Sequence, residues 1–191
     1  MKRAIALVLL FPLIALAQDK KTWPNPPEMK IDPAKTYLAT IETSRGKIVL
    51  ELFAKEAPLA VNSFVFLARE GFYDGVQFHR VIPNFMIQTG DRNGNPPGTG
   101  DAGYKFDNEN QQTERTYKEG TVGMANSGPN TNGSQFFIME KDYRLAPANY
   151  TIFGQLKEGQ DVVHAIATVE RDARDKPLEK VVMTTVTIEE K

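Results

Sequence analysis

Two stretches near the start of the chain alternate apolar and polar side chains. YLATIET (37–43) and KIVLELF (47–53) flank Ser44–Arg45–Gly46, and Ile48, Leu50 and Leu52 fall on one face of a strand. The period of two and the short Gly-containing link predict a β-hairpin. The period then changes. In APLAVNSFVFLAREG, Ala57, Ala60, Val61, Phe64, Leu67 and Ala68 recur at helical spacing, with Pro58 near the start and Gly71 just past the end. Strand patterns return at 78–82, 85–89, 121–126 (TVGMAN), 135–139 (QFFIM), 151–156 (TIFGQL) and 181–189 (VVMTTVTIE), and a long Gly/Pro/Asn loop fills 90–103. A second short helix fits 160–167, with Val162, Val163 and Ile166 as its apolar face. There is no internal repeat. About seven or eight short strands and two helices, without regular β-α-β alternation, predict a mainly β fold: a closed, mostly antiparallel sheet with helices covering its open ends.

The flanks differ from this body. MKRAIALVLLFPLIALAQDK opens with Lys2 and Arg3, continues with an apolar run from Ala4 to Ala17, and ends that run in Ala15–Leu16–Ala17. That is the layout of a signal peptide, residues 1–17, cleaved after Ala17. An anchor is the competing reading. The run is shorter than the ~20 apolar residues a spanning helix needs, and it contains Pro12. Cleavage is therefore expected, with a periplasmic or secreted location and no stable membrane association afterwards. Residues 18–36 carry Pro24, Pro26, Pro27 and Pro33 and read as an extended, mobile Pro-rich arm, although Trp23 could dock on the body. The domain proper is then 37–191.

Composition narrows the classes of function. The 191 residues, 41% hydrophobic and 25% charged, suit one domain with a sizeable core. The net charge is −1; losing Lys2 and Arg3 leaves 21 basic against 24 acidic residues, a net charge of −3. Nothing in that balance points to nucleic acid or an anionic membrane as partner. The absence of Cys excludes disulfides, a thiol nucleophile and thiolate metal sites, and two His are too few for a His-based metal cluster.

Several short matches carry little. Gly98–Thr99–Gly100–Asp101–Ala102–Gly103 has GxGxxG spacing, but Pro96–Pro97 precede it and no helical period follows, so a plain loop is expected. Ser44–Arg45–Gly46–Lys47 matches SxxK, but it lies in a hairpin turn and lacks its SDN and KTG partners. Asn132–Gly133–Ser134 and Asn149–Tyr150–Thr151 are glycosylation sequons only in form, outside a eukaryotic secretory route. His79 and His164 read as packed or hydrogen-bonded structural residues.

One constellation survives. In FHRVIPNFMIQTGD (78–91), alternation puts Phe78, Arg80 and Ile82 on one face, and Met86 and Gln88 on one face of the next strand. Gln135 and Phe137 share a face of a third. Polar and large apolar side chains thus pair on one side of three strands. That suits a groove with an apolar floor and a few placed hydrogen-bonding groups. The competing reading is a polar outer barrel face with Arg80 salt-bridged.

FHRVIPNFMIQTGD and GMANSGPNTNGSQFFI resemble the two signature segments of cyclophilin-type peptidyl-prolyl cis-trans isomerases. The resemblance covers about 37–188 and includes TIFGQLKEGQDVV. It implies a closed eight-stranded antiparallel β-barrel capped by two α-helices, with prolyl isomerase activity and no metal or cofactor. It also implies that Arg80 is the catalytic arginine with Gln88 beside it, and that Phe85, Met86, Phe137 and Leu145 form the proline pocket. Ala125, Asn126, Ser127 and Gln135 match the peptide-binding edge, and Tyr150 stands where many eukaryotic relatives have His. The chain departs from the family at Leu145, where many relatives carry Trp or His, and at Ala146–Pro147–Ala148–Asn149, which replaces a common Leu-Asp-Gly-Lys run. The expected partners are proline-containing polypeptides, and a monomer is expected. The other readings are a non-catalytic proline-peptide-binding chaperone or assembly module, and a structural subunit docked through the arm.

Overall fold

The computed structural model describes residues 21–109, 115–144 and 149–191. Alternation at the start of the domain folds as the expected hairpin. β1 (Tyr37–Thr43) pairs antiparallel with β2 (Gly46–Leu52), Tyr37 opposite Leu52 and Thr43 opposite Gly46. Tyr37, Ala39, Ile41, Ile48, Leu50 and Leu52 are all buried, so one face of the hairpin forms core. The helical period becomes α1 (Pro58–Arg69), which ends before Gly71 at a φ of 63°, a left-handed conformation that costs a glycine little. Ala57, at its N-cap, offers no side chain to the first free N–H groups. Glu109 supplies that cap from a distant loop, accepting from the backbone N–H of Leu59 and Ala60, each at 2.8 Å.

The remaining strands are β3 (Arg80–Ile82), β4 (Met86–Thr89), β5 (Thr121–Met124), β6 (Phe136–Met139), β7 (Ile152–Glu158) and β8 (Met183–Glu190), with α2 (Gln160–Ala167) between the last two. All neighbours are antiparallel, in the order β3-β4-β6-β5-β7-β2-β1-β8. The expected closed barrel is corrected here: the sheet is an open half-barrel, with no ladder between its end strands β3 and β8. β3 is too short to make one, and its outer edge is occupied otherwise, the Val81 N–H donating to the Asp175 carbonyl at 2.8 Å. The seam is crossed just before β3, where Gln77 bridges Val182 and the Phe78 N–H donates to the Val181 carbonyl at 2.9 Å.

The core centres on aromatic rings. Phe64 of α1 lies 5.1 Å from Tyr73, 5.3 Å from Phe136 and 5.5 Å from Phe153, centroid to centroid. A second, smaller apolar cluster holds Met86, Tyr117, Phe137, Met139 and Ile152 on the opposite side of the sheet's central strands. The adjacent residues Phe136 and Phe137 thus serve different clusters, as strand alternation requires.

The arm is not the mobile segment its prolines suggest. From residue 21 onward it packs on the domain. The Trp23 ring stands edge-on against Phe66 at 5.1 Å, and the Trp23 backbone N–H donates to the Ala102 carbonyl at 2.8 Å. Asn62 of α1 accepts from the Lys30 N–H and donates to the Pro27 and Glu28 carbonyls, and Ile31 is buried. The backbone groups that a Pro-rich segment leaves unpaired are satisfied here by one buried amide side chain. Among the described residues no helix is long and apolar enough to cross a membrane.

Candidate active site

The short hairpin β3–β4 places the arginine. Arg80 lies directly opposite Gln88, Gln88 opposite Phe137 of β6, and Phe137 opposite Gly123 of β5. The four positions form one row across four strands, on a single face of the sheet. Ile82, Met86 and Met139 form a parallel row two residues along. Gly123 is what lets the Phe137 ring lie across β5: a Cβ there would sit 2.5 Å from Cζ of Phe137. A lone Gly inside the TVGM strand is the sequence signal of such a close approach, and the residue pattern alone did not assign it that task.

The expected site residues gather around a cleft of about 200 Å³ lined by Arg80, Phe85, Met86, Gln88, Ala125, Asn126, Phe137 and Tyr150. A smaller adjoining cleft of about 90 Å³ brings in Ser127 and Gln135, and shares Gln88, Ala125 and Asn126 with the first. Leu145 lies outside the described residues. Phe78 does not join Arg80 on this face. The strand begins at Arg80 rather than Phe78, and Phe78 turns into the main core with Val81 and Ile87.

Polar groups at the site are tied down on one flank and open on the other. The Gln88 Nε2 donates to the Gln135 Oε1 at 3.1 Å, and the Gln135 Nε2 donates to the Gly98 and Gly100 carbonyls at 3.0 and 2.8 Å. The GxGxxG segment is thus a loop wall of the smaller cleft. Asp91 organises that loop, accepting from the Gly94 N–H at 2.6 Å and from the N–H groups of Gly98 and Gly100. Asn126 donates to the Asn149 carbonyl at 2.8 Å, and the Ala125 N–H to the Gln135 carbonyl at 2.9 Å. The Arg80 side chain, 45% exposed, has its Nε 4.0 Å from the Asp175 carboxylate, which also meets Arg171 at 3.2 Å. At that distance and exposure the ion pair orients the guanidinium more than it neutralises it. Tyr150 stands edge-on to Phe137, centroids 5.7 Å apart, and its carbonyl accepts from the Tyr117 hydroxyl at 2.7 Å.

Glu140 holds the β3–β4 turn and escaped the sequence reading. Its side chain is 1% exposed, yet it is a carboxylate. It accepts from the Asn84 N–H at 2.7 Å and contacts the His164 Nδ1 at 2.8 Å, so α2 and the turn carrying Phe85 are locked through one side chain. Asn84 has a φ of 61°, and the Phe85 carbonyl accepts from the Glu140 N–H at 2.8 Å. Glu140→Ala should destabilise the protein by about 1–3 kcal/mol, because the hydrogen bond of the Asn84 N–H to a buried side-chain oxygen and the contact with His164 are lost together. Urea unfolding checks this, and an unchanged midpoint would show that the turn holds itself.

His79 is buried beneath this face, with neither ring nitrogen hydrogen-bonded among the described residues. It is packed, as expected, but not hydrogen-bonded. Burial lowers its pKa below the usual 6.5; Asp91 opposes that shift and Arg80 adds to it. A neutral native imidazole and a normal unfolded one mean that the unfolded state binds more protons below pH ~6.5. Stability contributed above pH ~6.5 is therefore lost as pH falls toward the native pKa, at no more than about 1.4 kcal/mol per pH unit. His79→Leu should flatten the decline in unfolding free energy between about pH 7.5 and pH 5.5. Equal slopes for the two proteins would show that other groups cause it. Among the described residues no cluster of three His, Cys, Asp or Glu side chains is placed to hold a metal.

The family model of cyclophilin-type peptidyl-prolyl cis-trans isomerases matches residues 38–188. The chain is 41% identical over 154 residues to the human peptidyl-prolyl cis-trans isomerase-like 1, covering 78% of this chain and 89% of the relative. It is 44% identical over 144 residues to the isomerase ppi1 of Schizosaccharomyces pombe, covering 73% and 90%. The crystal structure of a Cryptosporidium parvum cyclophilin-type isomerase superposes with a TM-score of 0.75 at 31% identity, covering 81% of this chain and 98% of that one. A second structure of the same protein, in the presence of the dipeptide Ala-Pro, gives a TM-score of 0.74. The chain belongs to the cyclophilin-type peptidyl-prolyl cis-trans isomerase family and is an enzyme of that class.

Proposed function

We propose that the protein accelerates rotation about X–Pro bonds in exported polypeptides, with the proline ring held in the larger cleft and Arg80 donating to the prolyl nitrogen. The observation that carries this reading is the cross-strand row Arg80–Gln88–Phe137, which sets a permanent cation beside an apolar floor. A peptide bond resists rotation because the nitrogen lone pair is delocalised into the carbonyl, giving a barrier of ~18–20 kcal/mol. In the twisted state the nitrogen becomes pyramidal and regains its lone pair. A donor aimed at that nitrogen binds the twisted state better than either planar isomer, which is differential transition-state binding. Arg80 is always protonated and presents several donors in a rigid fork.

In this reading Phe85, Met86 and Phe137 hold the ring, and the family resemblance adds Leu145. Gln88, fixed by Gln135, positions Arg80 or the substrate carbonyl. The Asn126 backbone pairs with the substrate strand and anchors one side while the other rotates. Uncatalysed exchange takes tens to hundreds of seconds, at roughly 25 °C. Millisecond turnover therefore needs a ~10⁴- to 10⁵-fold acceleration, or ~5.5–7 kcal/mol. A preorganised charged hydrogen bond together with orientation is of that size. The test is a proline-switch assay on the purified protein beside Arg80→Ala. A wild-type rate no higher than the variant's would leave a proline-peptide-binding module without catalysis.

Export rests on the layout of residues 1–17, which lie outside the described residues. The N-terminal sequence of the protein recovered from its own cells should begin at Gln18. Recovery of an intact Met1 terminus in the membrane fraction would replace the signal peptide with an anchor.

A further inference from the structure

We propose that Tyr143 is a specificity-determining residue: with Phe85 it forms an aromatic shelf that takes a large apolar side chain next to the substrate proline. The proposal rests on the reading of the larger cleft as the proline site. Four large apolar side chains are exposed among the described residues, namely Met29, Leu59, Tyr143 and Leu178. Of these, Tyr143 touches a residue that lines the cleft. Its ring lies 4.3 Å from that of Phe85, centroid to centroid, at an interplanar angle of 42°. Phe85 itself faces the cleft.

The shelf is held in place. The Tyr143 N–H donates to the Tyr117 carbonyl at 2.9 Å, and the Glu140 N–H to the Phe85 carbonyl at 2.8 Å. The chain leaving β6 therefore wraps around Phe85 and brings Tyr143 against it, while 49% of Tyr143 stays exposed. A rigid ring, half open beside a binding cleft, offers apolar contact area at little entropic loss, with a hydroxyl that can stay in water. A substrate in extended conformation advances ~3.3 Å per residue. Tyr143 is thus within one residue's reach of a proline seated against Phe85. On the other flank, across Gln88, the adjoining cleft is walled by Gln135, Asp101 and Lys105, and is polar. The two flanks of the proline differ in chemistry, and the apolar requirement falls on the side of Tyr143.

The experiment measures kcat/KM by exchange NMR on peptides that carry Phe or Ala immediately before the proline, and on a second pair that vary immediately after it. The wild type should prefer Phe by about three- to tenfold in one of the two series, the range expected for one aromatic contact. Tyr143→Ala should slow both members of that series but the Phe peptide more, bringing the ratio close to one. Tyr143→Phe should keep the ratio, since the ring and not the hydroxyl is the contact. A ratio near one for the wild type in both series, or a ratio that survives in Tyr143→Ala, overturns the proposal. Arg80→Ala on the same peptides separates the two ideas: a wild type no faster than that variant removes the catalytic reading itself, whatever the ratios.

Discussion

Arg80→Ala should lower kcat/KM for a proline-containing peptide by about 100- to 1,000-fold, the range seen when one preorganised transition-state donor is removed. That is ~2.7–4 kcal/mol of the ~5.5–7 kcal/mol the reaction requires, so in the proposed mechanism the residue would supply about half of the catalysis. In the same mechanism cleft shape and substrate anchoring would supply the rest and should survive the substitution. Because Arg80 is 45% exposed and its ion pair with Asp175 stretches to 4.0 Å, the folded state should lose less than about 0.5 kcal/mol, within the ordinary range for surface changes. Activity and stability therefore separate, and a urea midpoint close to wild type distinguishes lost chemistry from lost fold. Arg80→Lys should recover only part of the rate: it keeps the charge, but as a point on a flexible stem without the guanidinium fork. The expected effect lies in kcat more than in KM, since the interaction forms only as the amide twists. A variant with wild-type kcat would assign the barrier lowering to the apolar cleft alone.

What the sequence made legible, and what it hid, divides along the range of the forces involved. Alternation is local, so it correctly joined Met86 to Gln88, and the helical period gave α2 its bounds of 160–167. The same rule failed at Phe78. The strand starts two residues later, and the ring is drawn into the core under Val81. The half-barrel's open seam was not legible, because it depends on whether a three-residue β3 can ladder with β8, and the Asp175 loop occupies that edge first. Nothing in the local pattern marks Glu109 or Glu140. They are structural because backbone N–H groups far away in sequence need acceptors, at the start of α1 and at Asn84. The arm shows the same limit from the other side: four prolines describe stiffness, while Asn62 and the Trp23 ring determine where the segment lies. The cross-strand row was the most legible part, since Arg80, Gln88 and Phe137 come from two continuous segments.

Phe136→Ala is expected to be the most destabilising single change discussed, at about 3–5 kcal/mol. The ring is fully buried and meets Phe64 at 86°, Tyr73 at 85° and Phe153 at 90°, three edge-to-face contacts that join α1 to the sheet. Truncation opens a cavity whose walls belong to a helix, two strands and the Tyr73 turn, so collapse from any one side is restrained. Against a typical total of ~5–15 kcal/mol, that loss lowers the unfolding midpoint by roughly 6–20 °C for a domain of this size. Phe136→Leu should recover more than half of it, because most of the volume returns. The effect on function should differ from that of its neighbour. Phe137 faces the cleft across Gly123, so Phe137→Ala removes the floor on which the proline would sit and damages turnover directly. Phe136→Ala leaves that face in place, and its folded fraction, assayed at low temperature, should retain most of its activity. Calorimetry together with the proline-switch assay gives both readings on the same samples. A Phe136→Ala protein that loses less than about 1 kcal/mol would mean that α1 is held to the sheet by something other than this ring cluster.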